Sequence, residues 1–262
     1  MDGKVITMKG PEEFDKMAVA GACVAAVHAA VREAAQPGVT MKQLDTVAAE
    51  VIRDHGCRPS FLGYHGYPAS ICASPNSMIV HGIPADYKIR NGDILSIDAG
   101  AIYEGWHGDA AFTMAIGDVS DEVARLIEVT EQALWNGIAV SQAGNRLGDV
   151  GHAIEATAEP HGYGVVREYI GHGIGRNMHE APNVPNYGKK GKGLKLKTGM
   201  ALAIEPMFNL GSADTAVLDD GWTVVTADGS LSAHFEHTVL LTEQGSVVST
   251  LPEPKLVEVR SS

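Results

Sequence analysis

The strongest constraint on this chain of 262 residues is that its landmarks recur at one fixed distance. His65-Gly66 recurs as His172-Gly173, Gly92 as Gly199, and Ile97-Asp98 as Ile204-Glu205, each time 107 positions later. Each block also follows two helical segments that close on His-Gly, at His55-Gly56 and His161-Gly162. One such match arises easily by chance. A constant offset with the elements in the same order implies a duplicated helix-helix-sheet half. A site lying between two such halves can draw side chains from both.

The punctuation of the helices supports this reading. Pro11-Glu12-Glu13 opens an apolar-periodic segment through Phe14, Met17, Val24, Val27 and Val31 that stops at Pro37-Gly38. Thr40 with Gln43 forms a capping box for a second helix closing at Gly56. Two more helices are expected from Asp121 to about Ser141 and from Leu147 to His161, with Gly162 as the stop. Short β-type runs follow each pair, and the tail from Pro252 to Ser262 has little that can pack. The net charge of −12 argues against general nucleic-acid binding, which relies on a basic surface. Cys23, Cys57 and Cys72 are odd in number and lack metal-type spacing, so reduced cytoplasmic thiols are expected. No run of signal-peptide type is evident, and none reaches the roughly 20 apolar residues of a membrane span.

Four carboxylates stand out. Asp98 ends the apolar run Ile94-Leu95-Ser96-Ile97, and Asp109 follows the turn Tyr103-Glu104-Gly105. A hairpin centred between residues 103 and 104 pairs position 98 with position 109 and sets two carboxylates cross-strand, about 5 Å apart at Cβ. Like charges so placed call for a cation. Glu205 holds the equivalent place in the second half, kept extended by Pro206. Glu236 lies in the strand-like run 232–240, where alternation puts it on one side with His234 and Thr238. Most lone histidines are ordinary polar residues, but His172 is set among glycines in Gly171-His172-Gly173-Ile174-Gly175, which allow close backbone approach. Four carboxylates and an imidazole suit divalent Mn, Fe or Co, and can hold two ions about 3.5–4 Å apart. No His-Glu-x-x-His helix is present, since His179-Glu180 runs into Ala181-Pro182.

These residues, in this order, resemble a known family. Ile97-Asp98-Ala99-Gly100, Gly108-Asp109, Gly171-His172-Gly173-Ile174-Gly175, Ile204-Glu205-Pro206 and Phe235-Glu236-His237-Thr238 are similar to the metal motifs of the pita-bread metallopeptidases. Gly63 to Pro68, Val80-His81-Gly82-Ile83-Pro84 and Asp220-Gly221-Trp222-Thr223 resemble the bacterial form of type I methionine aminopeptidase. The resemblance implies an α+β pita-bread fold, a central antiparallel sheet with helices outside. It implies a single domain over 1–262, with halves of roughly 11–117 and 118–251 and a flexible tail over 252–262. It implies two divalent ions (Co, Mn, Fe or Zn) on Asp98, Asp109, His172, Glu205 and Glu236. Asp109 and Glu236 would bridge them, while His172 and Glu205 complete one. Glu205 would act as general base and then acid, His179 would stabilise the tetrahedral intermediate, and His81 would contact the scissile amide. Phe61, Tyr64, His65, Tyr67, Cys72, Met178 and Trp222 would surround the methionine side chain, a soft aromatic setting for a thioether. Asn76, Met78 and Ser232 match a backbone site for Na or K.

The activity so implied is removal of N-terminal methionine from nascent chains by a cytoplasmic monomer, preferentially before a small second residue. Phe61 and Met178 depart from the cysteine and phenylalanine that well-known bacterial members often carry there, which bears on pocket shape. Two other readings share the ligands: an Xaa-Pro aminopeptidase, which usually carries a sizeable extra N-terminal domain, and a non-enzymatic pita-bread protein, which has lost ligands. A basic run from Lys189 to Lys197 is usually a solvated surface. On an acidic protein acting on nascent chains it is also a candidate contact for ribosomal RNA.

Overall fold

A computed structural model describes residues 5–257. Four helices form: α1 (Pro11–Ala34), α2 (Met41–Asp54), α3 (Asp121–Val140) and α4 (Leu147–Ala158), the last extended by a 3-10 turn to His161. Their ends follow the residues expected to set them. The Glu13 carboxylate accepts from the Gly10 N–H at 2.8 Å, opening α1. At α2, the Gln43 N–H donates to Thr40 Oγ1 and the Thr40 N–H to Gln43 Oε1, a reciprocal capping box. Gly56 and Gly162 stop the two pairs with φ of +69° and +68°, where a side chain would be strained.

Contrary to the sequence expectation, α1 is by length and composition apolar enough to cross a membrane (mean hydropathy 1.4). Half of that apolar window is packed inside the protein, with Met17, Ala20, Val24, Val27 and Val31 all buried. Its apolarity is that of a core helix. Gly21 explains how close it comes: a Cβ there would lie 2.2 Å from the carbonyl oxygen of Ser249. One at Gly108 would lie 2.8 Å from the Gly21 nitrogen.

Seven strands frame the site: β1 (Ile71–Pro75), β2 (Ile94–Tyr103), β3 (Trp106–Ala115), β4 (Gly171–Gly173), β5 (Ala201–Ile204), β6 (Ser232–His234) and β7 (Glu236–Thr242). Six of them run β1-β2-β3-β7-β5-β4 in the main sheet, antiparallel throughout, an order that reads alike from both edges, while β6 pairs in a separate three-stranded sheet. The two-fold relation is detailed. Gly92 and Gly199 have φ of +91° and +92° and donate to the carbonyls of Ile116 and Leu241. Ile116 and Leu241 in turn donate to the carbonyls of Asp93 and Met200. Met200 follows Asp93 by 107 positions, whereas Leu241 follows Ile116 by 125, so the second half carries 18 extra residues between its paired strands.

Two expectations need correction. His172 in β4 pairs with Ala203, the place that Ser74 of β1 holds opposite Ser96. Its structural mate is therefore Ser74. His65-Gly66 lies in a 3-10 turn, and its match with His172-Gly173 is fortuitous. The tail is also less loose than expected: Leu256 and Lys255 pair with Val247 and Val248, because the edge strand 245–248 leaves its outer backbone free. Residues 258–262 of that expected tail lie outside the described residues.

Candidate metal centre

The first hairpin turns on Glu104-Gly105, both with positive φ (+47° and +81°), and closes with Tyr103 opposite Trp106. This is the two-residue primed turn whose twist matches that of its strands. The centre is thus one residue later than the sequence suggested. Asp98 faces Ala111 and Asp109 faces Gly100, which makes the two carboxylates diagonal neighbours on one face, not a direct pair. Ala111 matters here. It lies between Asp98 on β2 and Glu236 on β7, and its methyl leaves the space above it to the three carboxylates.

The second half completes the group. The His172 Nδ1–H donates to the Gly173 carbonyl at 2.8 Å, which leaves Nε2 with its lone pair toward the site. That Nε2 is 3.7 Å from Glu205 Oε1, and Glu205 Oε2 is 3.6 Å from His234 Nε2. The amide of Asn186 donates to the Glu205 carbonyl at 2.9 Å and fixes the backbone before Pro206. The run expected as one strand over 232–240 is broken at Phe235, whose N–H turns to the Pro206 carbonyl. The break brings both His234 and Glu236 to the site.

Two overlapping sets can each hold an ion, Asp109–His172–Glu236 and Glu205–His234–Glu236, with the ligand atoms of each set within 4.8 Å of one another. Both contain Glu236. His234 is a residue the sequence reading passed over, although its alternation with Glu236 was visible. Asp98 belongs to neither tight set but lines the same cavity. Eight buried side-chain polar atoms lack a hydrogen-bond partner among the described residues, and four are here: Asp98 Oδ1, Asp109 Oδ1, His234 Nε2 and Glu236 Oε1. Such orphans are costly, and their convergence fits a bound cation. Burial, then the neighbouring carboxylates, push Asp109 and Glu236 well above the usual carboxylate range. Burial also lifts Asp98, to about 7. For Glu205 burial acts upward too, but the nearness of His234 and His172 outweighs it and holds it low.

A cavity of about 120 Å³ opens above these groups, with room for several waters. Asp98, Asp109, His172, Glu205 and Glu236 form one wall. Phe61, Tyr64, Tyr67, Cys72, Met178 and Trp222 form the other, with His81 and His179 between. Cys72 pairs directly with Asp98 and ties the apolar wall to the polar one. Gly100 lets Phe61 settle on the sheet: a Cβ there would lie 2.8 Å from its ring. Trp222 meets Tyr67 edge-on at 5.1 Å and is seated by Asp220, which accepts from the Trp222 and Thr223 N–H groups. The Tyr64 hydroxyl lies 2.7 Å from His179 Nδ1, and the His179 ring is 4.2 Å from that of His172. Burial, then the nearby His172, lowers His179 to about 4, so its ring is neutral; burial lowers His81 as well. His81 holds φ of +60°, a strained backbone that marks a constrained position.

His65 is not brought in; it is exposed and packs against the outer side of Tyr64. Among the residues matched to a monovalent-cation site, the Ser232 N–H donates to the Asn76 carbonyl at 3.0 Å, and Met78 pairs with Val225 nearby. The lysines from Lys189 to Lys197 are all exposed, but their loop is pinned to the start of α4: Gly191 N–H donates to Asp149 Oδ1 and Gly148 N–H to the Lys192 carbonyl.

Residues 15–243 match the model of metallopeptidase family M24. Methionine aminopeptidase 1 of Mycobacterium tuberculosis is 51% identical over 255 residues, covering 95% of this chain and 96% of its own. The crystal structure of methionine aminopeptidase from Thermotoga maritima superposes with a TM-score of 0.92 at 44% identity, over 94% of this chain and all of that one. Prolidase from Pyrococcus furiosus shares the fold, with a TM-score of 0.76 at 22% identity, over 93% of this chain and 65% of that one.

Proposed function

We propose that this chain, which belongs to metallopeptidase family M24, removes methionine from the N-termini of nascent proteins and peptides, preferentially before a small second residue. One observation carries the reading. A single cavity sets five potential ligands on one wall against an apolar, sulfur-bearing wall on the other, at the scale of one unbranched side chain. Relatives named methionine aminopeptidase, 47% and 51% identical over nearly the full chain, support it.

Asp98, Asp109, His172, Glu205 and Glu236 would hold two divalent ions. The carboxylate-rich donor set favours Mn, Fe or Co over a softer metal. Bound there, such a pair supplies Lewis acidity toward the first peptide carbonyl and lowers the pKa of water. The remaining work belongs to side chains. Glu205 takes the proton from the attacking water at one carboxylate oxygen and returns it to the leaving amine. A Tyr64 hydroxyl that donates to His179 Nδ1 leaves the proton on Nε2, facing the cavity, where it meets the carbonyl oxygen as charge develops. His81, held by its strained backbone, contacts the scissile amide. Phe61, Tyr67, Cys72, Met178 and Trp222 receive the thioether, excluding water from one face.

The setting follows from the substrate: a monomer acting in the cytoplasm on chains leaving the ribosome. The lysine loop from Lys189 to Lys197, presented on a fixed backbone, is suited to ribosomal RNA. Charge reversal of Lys189, Lys190 and Lys192 should then release the enzyme from ribosome pellets. The peptide Met-Ala-Ser tests the central reading. With Mn, Fe or Co supplied, methionine should be released, whereas an Ala-Pro peptide should stay intact. No methionine release under any of the three metals would refute the assignment, and cleavage of Ala-Pro alone would make the chain an Xaa-Pro peptidase.

A further inference from the structure

The two hairpins meet where β3 runs beside β7, and regular pairing there covers only Ala111 with Glu236 and Ala110 with His237. On either side a threonine hydroxyl stands in for the backbone bonds. Thr238 Oγ1 accepts from the Asp109 N–H at 3.0 Å and donates to the Asp109 carbonyl at 2.8 Å. Thr113 Oγ1 accepts from the His234 N–H at 2.8 Å and donates to the His234 carbonyl at 2.9 Å. Thr238 follows Thr113 by 125 positions, and His234 follows Asp109 by the same 125. That is the offset relating Leu241 to Ile116, so one device is used twice across the two-fold axis.

The physics of the device is simple. An ordinary ladder joins N–H directly to C=O with strands about 4.8 Å apart. An oxygen inserted between them satisfies both groups at a wider spacing, so the strands part without leaving buried backbone groups unpaired. Both threonines are buried, at 0% and 2% exposure, and no water is needed to complete the bonds. The residues they grip face the site: Asp109, with one carboxylate oxygen unpartnered, and His234, whose unpartnered Nε2 is 3.6 Å from Glu205.

We propose that Thr238 and Thr113 are paired positioning residues: Thr238 fixes Asp109 as a ligand, and Thr113 fixes His234 so that its ring holds and aims Glu205. The proposal rests on the two-metal reading above. It is tested on the full chain, freed of metal by chelation and titrated with Mn by calorimetry, alongside steady-state kinetics on Met-Ala-Ser. Thr238→Val should weaken Mn binding about 10- to 100-fold, the usual cost of losing a partner of a metal ligand, and Thr238→Ser should restore it. Thr113→Val should lower kcat about tenfold with KM unchanged, with Mn binding weakened less than in Thr238→Val, again restored by serine. Near-UV circular dichroism verifies folding first; where a valine protein does not fold, the alanine protein removes the same hydroxyl with less crowding. Wild-type Mn affinity in Thr238→Val or its alanine counterpart, or wild-type kcat in the Thr113 pair, overturns the proposal. If the wild type itself takes up no Mn, the two-metal reading is what has failed.

Discussion

The orphaned carboxylates make a prediction that runs against the usual effect of mutating a buried charged residue. Asp109 is 2% exposed, has an unpartnered Oδ1 and neighbours Asp98 and Glu236. Without a cation, burial and repulsion make it a burden on the fold. Asp109→Asn keeps the shape, removes one acid and offers Asp98 or Glu236 a donor. Relieving one such buried polar group is worth about 1–3 kcal/mol. For a chain of this size 1 kcal/mol moves the melting temperature by about 2–4 °C, so chelated Asp109→Asn should melt roughly 2–12 °C above chelated wild type. Adding Mn should reverse the order. Wild type gains about 2.7 kcal/mol per ion at a hundredfold excess over Kd, and the variant, short of a ligand, gains less. Thermal unfolding by circular dichroism, in chelator and in Mn, reads both arms. A chelated variant that melts at or below the chelated wild type would refute the reasoning, because Asp109 would then be stabilising the empty site.

Three further outcomes are expected. Burial lowers His28 to about 3, so it stays neutral in the fold while the unfolded chain protonates from its usual 6.5 downward. Stability should therefore drop by about 1.4 kcal/mol per pH unit below 6.5 until the folded group titrates near 3. His28→Gln should lose about 2 kcal/mol less than wild type in a urea melt between pH 7.5 and 5, and equal slopes would contradict this. Gly21→Ala puts a methyl 2.2 Å from the Ser249 carbonyl and should cost about 1–3 kcal/mol or more in the same melt; an unchanged midpoint would show that α1 sits further out. Tyr64→Phe should lower kcat on Met-Ala-Ser about tenfold, less than the roughly 10²–10³ of deleting an oxyanion donor outright, and an unaltered kcat would remove Tyr64 from the orientation of His179.

Much of this architecture could be read from residues whose chemistry leaves few options. Gly92 and Gly199 sit at matching positive φ before matching strands, and their offset exposed the duplication directly. Pro11, Thr40 with Gln43, Gly56 and Gly162 bounded helices because each satisfies or removes backbone groups at a helix end. What escaped depended on long-range geometry. The turn at residues 103–105 could be placed by composition, but whether Tyr103 or Glu104 takes the first positive φ decides the register, and composition does not show that. The break at Phe235 is set by the Pro206 carbonyl, 29 positions away in the chain, so local alternation saw one strand where there are two. His65 resembled His172 because both precede glycine, although one closes a turn and the other lies in a sheet. His234 was overlooked because its partner, Glu205, lies across the fold.

The 18 residues by which the second half exceeds the first have one more consequence. A fold made of two equal halves has no head or tail, and a groove along its axis would accept a peptide in either orientation. The extra residues lie between Glu205 and Glu236, on one side of the axis only, and they carry Trp222 to the cavity wall. That side of the cavity thereby gains an aromatic wall supplied by the longer half. Such asymmetry is what the proposed activity requires: a bound chain held in one polarity, its first residue inward and the rest trailing out, so that a duplicated scaffold trims from an end.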